Sequence, residues 1–189
     1  WAGNNNAGAY TQSITAELGG GSGFSVWNRE SCLETDSHYH PIIANNPIYY
    51  YNGSGFKISG ITVNQNNSAA GLFGELSQAI EIKNLTLENA DIICNGNDDD
   101  HAQAGGFIGY AKGNTTLENV HLISAYNVEG SKSVGSFIGQ TDNGFKISDA
   151  SIDCAITVRS KNGNAGGLVG YKNSTNLEAT ITNVKYTGN

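Results

Sequence analysis

Apolar residues in this chain do not recur at the 3.6-residue spacing of a helix. They fall in short pairs and alternations, each closed off by turn residues. An apolar pair flanked by small residues, closed by glycine, occurs four times: "SAAGLFGEL" from Ser68, "QAGGFIGYA" from Gln103, "SVGSFIGQT" from Ser133 and "NAGGLVGYK" from Asn164. A second pattern follows each copy. Ile82, Leu85 and Leu87 lie in "IKNLTL", and Leu117, Val120 and Leu122 in "LENVHL". Ile147, Ala150 and Ile152 lie in "ISDASI", and Ile181, Val184 and Tyr186 in "ITNVKY". The last two members of each set are two residues apart, which is the period of a strand. The three-residue step before them marks a bend or bulge where the chain turns a corner. An earlier set, Ile58, Ile61 and Val63 in "ISGITV", adds one turn upstream, and "GFKIS" at both Gly55 and Gly144 reads as two diverged copies of one unit.

The closing glycines Gly74, Gly109, Gly139 and Gly170 are spaced by 35, 30 and 31 residues. A period in that range is the signature of a stacked repeat. Between the sets lie "NGNDDDH", "EGSKS", "RSKNGN" and "KNSTN", rich in residues that tolerate left-handed backbone angles or bond their own backbone. The expected fold is therefore all-β: a parallel β-helix, or β-solenoid, of about five turns over residues 40–189, with a less regular segment over 1–39. Stacking aligns equivalent residues at about 4.8 Å. Leu72, Phe107, Phe137 and Leu168 then form one column, and Phe73, Ile108, Ile138 and Val169 the next. On a straight strand only one of the two columns faces inward, so either the other packs outward or the strand bends between them. The neighbouring columns are small: Ala70, Gly105, Gly135 and Gly166, then Gly71, Gly106, Ser136 and Gly167. These let the wall turn sharply and approach the opposite wall.

"AGGFIGYAKGNTTLENV" and "AGGLVGYKNSTN" resemble the GLUG repeat of large bacterial surface proteins and of some secreted IgA-cleaving metallopeptidases, where it lies beside the protease domain. The upstream "HPIIANNPIYYYNGSGFKISGITV" is similar to the segment that commonly precedes the first such repeat, and the likeness runs from about His40 to Val184. The resemblance implies a right-handed parallel β-helix on the outside of a cell, serving as a spacer or presentation stalk.

Composition agrees with a thin-cored stack: 25 glycines and 38% hydrophobic residues among 189. The net charge of −7 argues against nucleic acid or an anionic membrane surface as partner, and no apolar run approaches the ~18 residues of a membrane span. With Trp1 first and no methionine, the chain reads as a processed product or a segment of a longer one. Cys32, Cys94 and Cys154 make neither a disulfide framework nor a zinc motif. Cys94 and Cys154, two turns apart, are expected to stay unlinked.

Candidate chemistry is sparse. The densest acidic run, Asp98, Asp99 and Asp100, offers hard oxygens of the kind calcium takes. Three adjacent carboxylates cannot converge on one ion, so the run reads as a solvated turn and the chain as needing no cofactor. Glu30, Glu34, Asp36, His38 and His40 lack the helical HExxH arrangement of a zinc peptidase and read as a surface loop. "GGGSG" at Gly19 lacks the spacing of a P-loop. Glu81, Glu88, Glu118, Asp149, Asp153 and Glu178 scatter across aligned positions instead of pairing for acid–base chemistry. Tyr49 and Tyr50 align with the apolar column and its closing glycine and are expected to plug the end of the coil, while Trp27 and Tyr39 are unassigned. Asn52, Asn66, Asn84, Asn114 and Asn173 begin Asn-X-Ser/Thr sequons, relevant only to a eukaryotic source.

The functional expectation is a non-catalytic extracellular structural or adhesive module of a larger cell-surface protein. Its partners would be a protein or glycan on a neighbouring surface, or copies of itself through the solenoid ends. Two alternatives are a self-assembling extracellular filament subunit and a polysaccharide-active enzyme on the same scaffold. The C-terminal "ITNVKYTGN" keeps the repeat pattern without a cap, so that edge is expected to be occupied; "AYTQSITAEL" near the N-terminus is strand-like and suited to covering an edge.

Overall fold

The computed structural model describes residues 42–44, 50–66, 68–96, 102–174 and 177–188. They form a parallel β-solenoid of about four turns. The first turn holds β1 (Ile42–Ala44), β2 (Tyr50–Asn52), β3 (Lys57–Ser59) and β4 (Thr62–Gln65). The second holds β5 (Phe73–Leu76) and the long β6 (Ile80–Cys94). Then come β7 (Ala104–Gly105), β8 (Ile108–Ala111) and β9 (Thr115–Gly130), followed by β10 (Val134–Gly135), β11 (Ile138–Thr141), β12 (Phe145–Asp153) and β13 (Ile156–Ser160). The last are β14 (Ala165–Gly166), β15 (Val169–Lys172) and β16 (Ala179–Tyr186). Every ladder is parallel. One wall runs β1-β5-β8-β11-β15 and a narrow one β14-β10-β7. The broadest runs β16-β12-β9-β6-β2, with β3 and β4 also on β6 and β13 on β9.

The stacked columns are those the spacing predicts. Phe73 pairs with Ile108, Ile108 with Ile138, and Ile138 with Val169. Phe107 and Phe137 pack edge to face with ring centroids 5.4 Å apart. Both neighbouring columns are buried: Leu72, Phe107 and Phe137 as well as Phe73, Ile108 and Ile138. The chain manages this by bending at residues 106–107 and 136–137, just before β8 and β11. Each such side chain removed from water contributes about 1.5–3 kcal/mol.

The glycines fill the role their column predicts. A Cβ on Gly139 would lie 2.5 Å from the Gly109 carbonyl oxygen and 2.7 Å from that of Ala104; one on Gly170 would lie 2.6 Å from the Gly139 oxygen. Backbone from two walls meets there, leaving no room for a side chain. Gly105, Gly135 and Gly166 stack in register as expected, but Ala70 bridges Ala104, one residue earlier than the simple alignment places it.

The corners are made by residues in left-handed conformation. Asn84, Asn119, Asp149 and Asn183 have φ of 52°, 53°, 53° and 52°. Each is the third residue of its string, just before the apolar residue that ends the three-residue step, in "IKNL", "LENV", "ISDA" and "ITNV". Asn and Asp adopt this region at low cost because their short polar side chains bond locally. A second corner follows five residues later at Asn89, φ 51°, and, one turn on, at Ser124, φ 65°. There β9 carries one extra residue, so Tyr126 stacks on Ala90.

The first turn departs from the expected register. Ile58 stacks on Leu87 and Val63 on Ile92, not on Ile82 and Leu87. The residue over Ile82 is Tyr51. From Tyr51 to Ile58 is seven residues and from Ile82 to Leu87 five, because a turn at Ser54–Gly55 widens this corner by two. The two "GFKIS" strings are therefore not equivalent. Phe145 is buried, whereas Phe56 is 55% exposed. The tyrosine plug is also corrected: Tyr50 points outward at 43% exposure, and Tyr51, 3% exposed, packs edge-on against Phe73. Tyr49 lies outside the described residues.

Candidate interaction surface

Outward-facing side chains pair across turns. Lys83 contacts Glu81 at 2.9 Å and Glu118 one turn away at 3.5 Å, and the Glu81 hydrogen bond leads the effects holding its ammonium above the usual lysine range. Lys57 reaches Glu88 at 3.1 Å and Lys112 reaches Glu75 at 2.7 Å. Hydrogen bonds from Lys57 and from Arg159 hold the carboxyls of Glu88 and Glu129 below the usual range. Along the first corner, Asn84 Nδ2 donates to Asn52 Oδ1 (3.0 Å), Asn119 Nδ2 to Asn84 Oδ1 (2.8 Å) and Asn183 Nδ2 to Asp149 Oδ1 (2.6 Å). The amides of Asn84 and Asn52 are thus engaged in this ladder although both begin sequons.

The acids singled out in the sequence do not converge. Glu81 and Glu118 share Lys83, Glu88 takes Lys57 and the Ser124 hydroxyl, Asp149 takes Asn183, and Glu178 accepts the Thr180 hydroxyl. Asp153 accepts from Ser151 Oγ at 2.8 Å and from the Thr187 hydroxyl.

One constellation that sequence order concealed brings His, Ser and Asp together. His121 Nδ1 lies 2.9 Å from Ser151 Oγ, and His121 Nε2 lies 2.9 Å from Asn119 Oδ1. The order is His–Ser–Asp, with serine in the middle. The Ser151 proton points to Asp153, so the imidazole does not stand as base behind a nucleophile. Only the register Ser151 on His121 unites these residues, and no local motif signals it.

A hollow of about 320 Å³ opens between β9, β12 and β16, lined by Asn114, Thr115, Thr116, Phe145, Lys146 and Glu178 among others. Glu178 is its one carboxylate, so it lacks the carboxylate pair of a glycosidase. Inside the coil, the Tyr126 hydroxyl is buried without a hydrogen-bond partner, and burial pushes its pKa upward. A Cβ on Gly106 would sit 2.7 Å from that oxygen, so the glycine makes room for the ring. Cys94 and Cys154 are both buried and are not joined to each other, as their two-turn separation predicts. Burial raises the Cys154 pKa, with a further contribution from Asp153.

Among the described residues, no group of three or more His, Cys, Asp or Glu is placed to hold a metal ion. Asp98, Asp99 and Asp100, the Glu30–His40 cluster, Trp27 and Cys32 lie outside the described residues. Gly74, Gly109, Gly139 and Gly170 follow the inward column at the wall facing β7, β10 and β14.

The largest exposed apolar surface of the repeat columns is at the C-terminal end. Ile82, Leu117 and Ile147 are fully buried, but Ile181, next in that column, is 53% exposed. Leu87, Leu122 and Ile152 are buried, and Tyr186 below them is 55% exposed. Leu177 and Tyr171 are exposed as well, at 43% and 41%.

The fold defines a parallel β-solenoid. No protein-family model matches the chain, and no match was found among the curated proteins or the solved structures.

Proposed function

We propose that this chain is a non-catalytic structural or adhesive module of a larger extracellular surface protein, a right-handed solenoid of the GLUG-repeat kind that spaces or presents a neighbouring element. The observation that carries the reading is the state of the outer walls. Among the described residues, the acids that an enzyme would gather in a cleft are dispersed and paired along a strand or across turns, and the hollow between β9, β12 and β16 holds a single carboxylate. Cross-turn pairing of this kind stiffens a rod and leaves its faces polar. The "AGGFIGYAKGNTTLENV" and "AGGLVGYKNSTN" motifs support the repeat assignment.

Two measurements test it together. Antibodies raised against the chain should label intact cells of the source organism. The purified chain should release no reducing ends from a panel of neutral and acidic polysaccharides. Sugar release that disappears in Glu178→Gln would replace this reading with the enzyme; labelling only after lysis would remove the surface assignment.

A further inference from the structure

A chain of side-chain hydrogen bonds crosses the broad wall from the first turn to the last. The Ser54 backbone N–H donates to Asn52 Oδ1 at 2.9 Å, which fixes that amide with its oxygen toward the donor. Asn84 Nδ2 donates to the same oxygen, so Asn84 Oδ1 faces the next turn, where it accepts from Asn119 Nδ2. That leaves Asn119 Oδ1 turned to His121 Nε2, 2.9 Å away. From the other end, the Asp153 carboxylate accepts from the Thr187 hydroxyl and from Ser151 Oγ. With its proton directed at Asp153, Ser151 Oγ meets His121 Nδ1 at 2.9 Å as an acceptor. Both ring nitrogens therefore face acceptors. A neutral imidazole carries one N–H and one lone pair, and only the imidazolium donates from both nitrogens.

We propose that His121 is a proton-operated latch between the asparagine corner ladder and the Ser151–Asp153–Thr187 group, closed when the ring holds two protons. The second proton comes from water and binds Nδ1. When it leaves, Nε2 keeps its N–H on Asn119, and the Ser151 hydroxyl turns to the Nδ1 lone pair. Asp153 then loses the Ser151 donor, and the network holds one hydrogen bond fewer. Imidazole is the side chain that changes charge between pH 5 and 8, so the latch works in that range. Asp153 stays ionised through it, because the Thr187 and Ser151 hydrogen bonds hold its carboxyl below the usual range. Charges reach the ring from several strands. Asp153 on β12 favours the added proton, while Lys185 on β16, in register with Ser151, opposes it. On β6, Thr86 lies beside His121, and Glu88 is held by Lys57 of β3 and by the Ser124 hydroxyl. At the corners, Glu118 pairs with Lys83 and Asp149 accepts from Asn183. The folded network gains a bond when the proton binds, so the stability it adds is present at the acid end of this range and lost as pH rises. The latch is independent of the stalk reading, since an enzyme on this scaffold would carry it equally.

Long-range proton–nitrogen NMR on the 189-residue chain, titrated in buffer and again in urea, is the test. His121→Gln identifies the His121 signals. The expected result is two protonated ring nitrogens on His121 in the folded chain at a pH where the unfolded chain shows one. Loss of the second proton at the same pH in both states, or at a lower pH in the folded one, overturns the proposal. Thermal melts at the two ends of the range give a second reading. On going from about pH 5 to about pH 8, the parent should lose about 2–4 °C more than His121→Gln or Ser151→Ala, the shift one hydrogen bond gives in a chain of this length. An equal loss in the parent and either variant has the same effect as a failed titration. If a variant does not fold, the parent's signals are assigned through the backbone, and the titration decides.

Discussion

Asp153 ties the outer ends of the last two long strands. Its carboxylate accepts from Ser151 on its own strand and from Thr187 just after β16, and these bonds, Thr187's first, hold its pKa below the usual aspartate value. A carboxyl depressed in the folded state contributes stability above its unfolded pKa, near 3.9, and loses it as pH falls through the lower folded value. Asp153→Asn should therefore lower the melting temperature near pH 7 and flatten its decline below about pH 4. Thermal melts across that range check this, and an acid limb as steep as the parent's would show that the carboxylate contributes nothing. Sequence alone placed Asp153 among the scattered acids, because its partners are 2 and 34 residues away and only the register identifies the second.

The corner is the element on which the coil depends. Asn119 holds φ at 53°, donates to Asn84 and faces His121. Replacing it with alanine imposes about 1–2 kcal/mol for the left-handed backbone and removes hydrogen bonds worth about 0.5–1.5 kcal/mol each. Glycine accepts the backbone angle and loses only the bonds. Urea midpoints should thus fall in the order parent, Asn119→Gly, Asn119→Ala; a glycine variant less stable than the alanine one would mean that φ is not what the residue supplies. This corner was legible as the three-residue step between Leu117 and Val120. What spacing could not separate was one corner from the next. Ile82–Leu85–Leu87 and Leu87–Ala90–Ile92 share the same steps of three and two, so Ile58, Ile61 and Val63 fit either, and the extra turn at Ser54–Gly55 decides. The one-residue bulge at Ser124–Ala125 and the exchange of Tyr50 for Tyr51 were hidden for the same reason. Local periodicity records which residues face inward, while register along the stack is set by turn length.

At the scale of the molecule burial changes along the stack: Tyr51 in the first turn is 3% exposed, Ile181 and Tyr186 in the last 53% and 55%. The duplicated corner spacing bears on how the first end forms. A nascent first turn has two berths on β6, five residues apart, and each receives Ile58, Ile61 and Val63 on three apolar partners. In one, Ile58 rests on Leu87; in the other, a misthreaded coil, it rests on Ile82 and evicts the Tyr51 ring from its edge-on contact with Phe73, 5.5 Å between centroids in the native arrangement. Only the first berth keeps that ring on Phe73. Removing it in Tyr51→Ala should bring the two berths closer in energy and split refolding into a fast phase and a slower one limited by escape from the wrong berth. Stopped-flow fluorescence would resolve the two phases, and single-exponential recovery in the variant would show that the berth is chosen elsewhere.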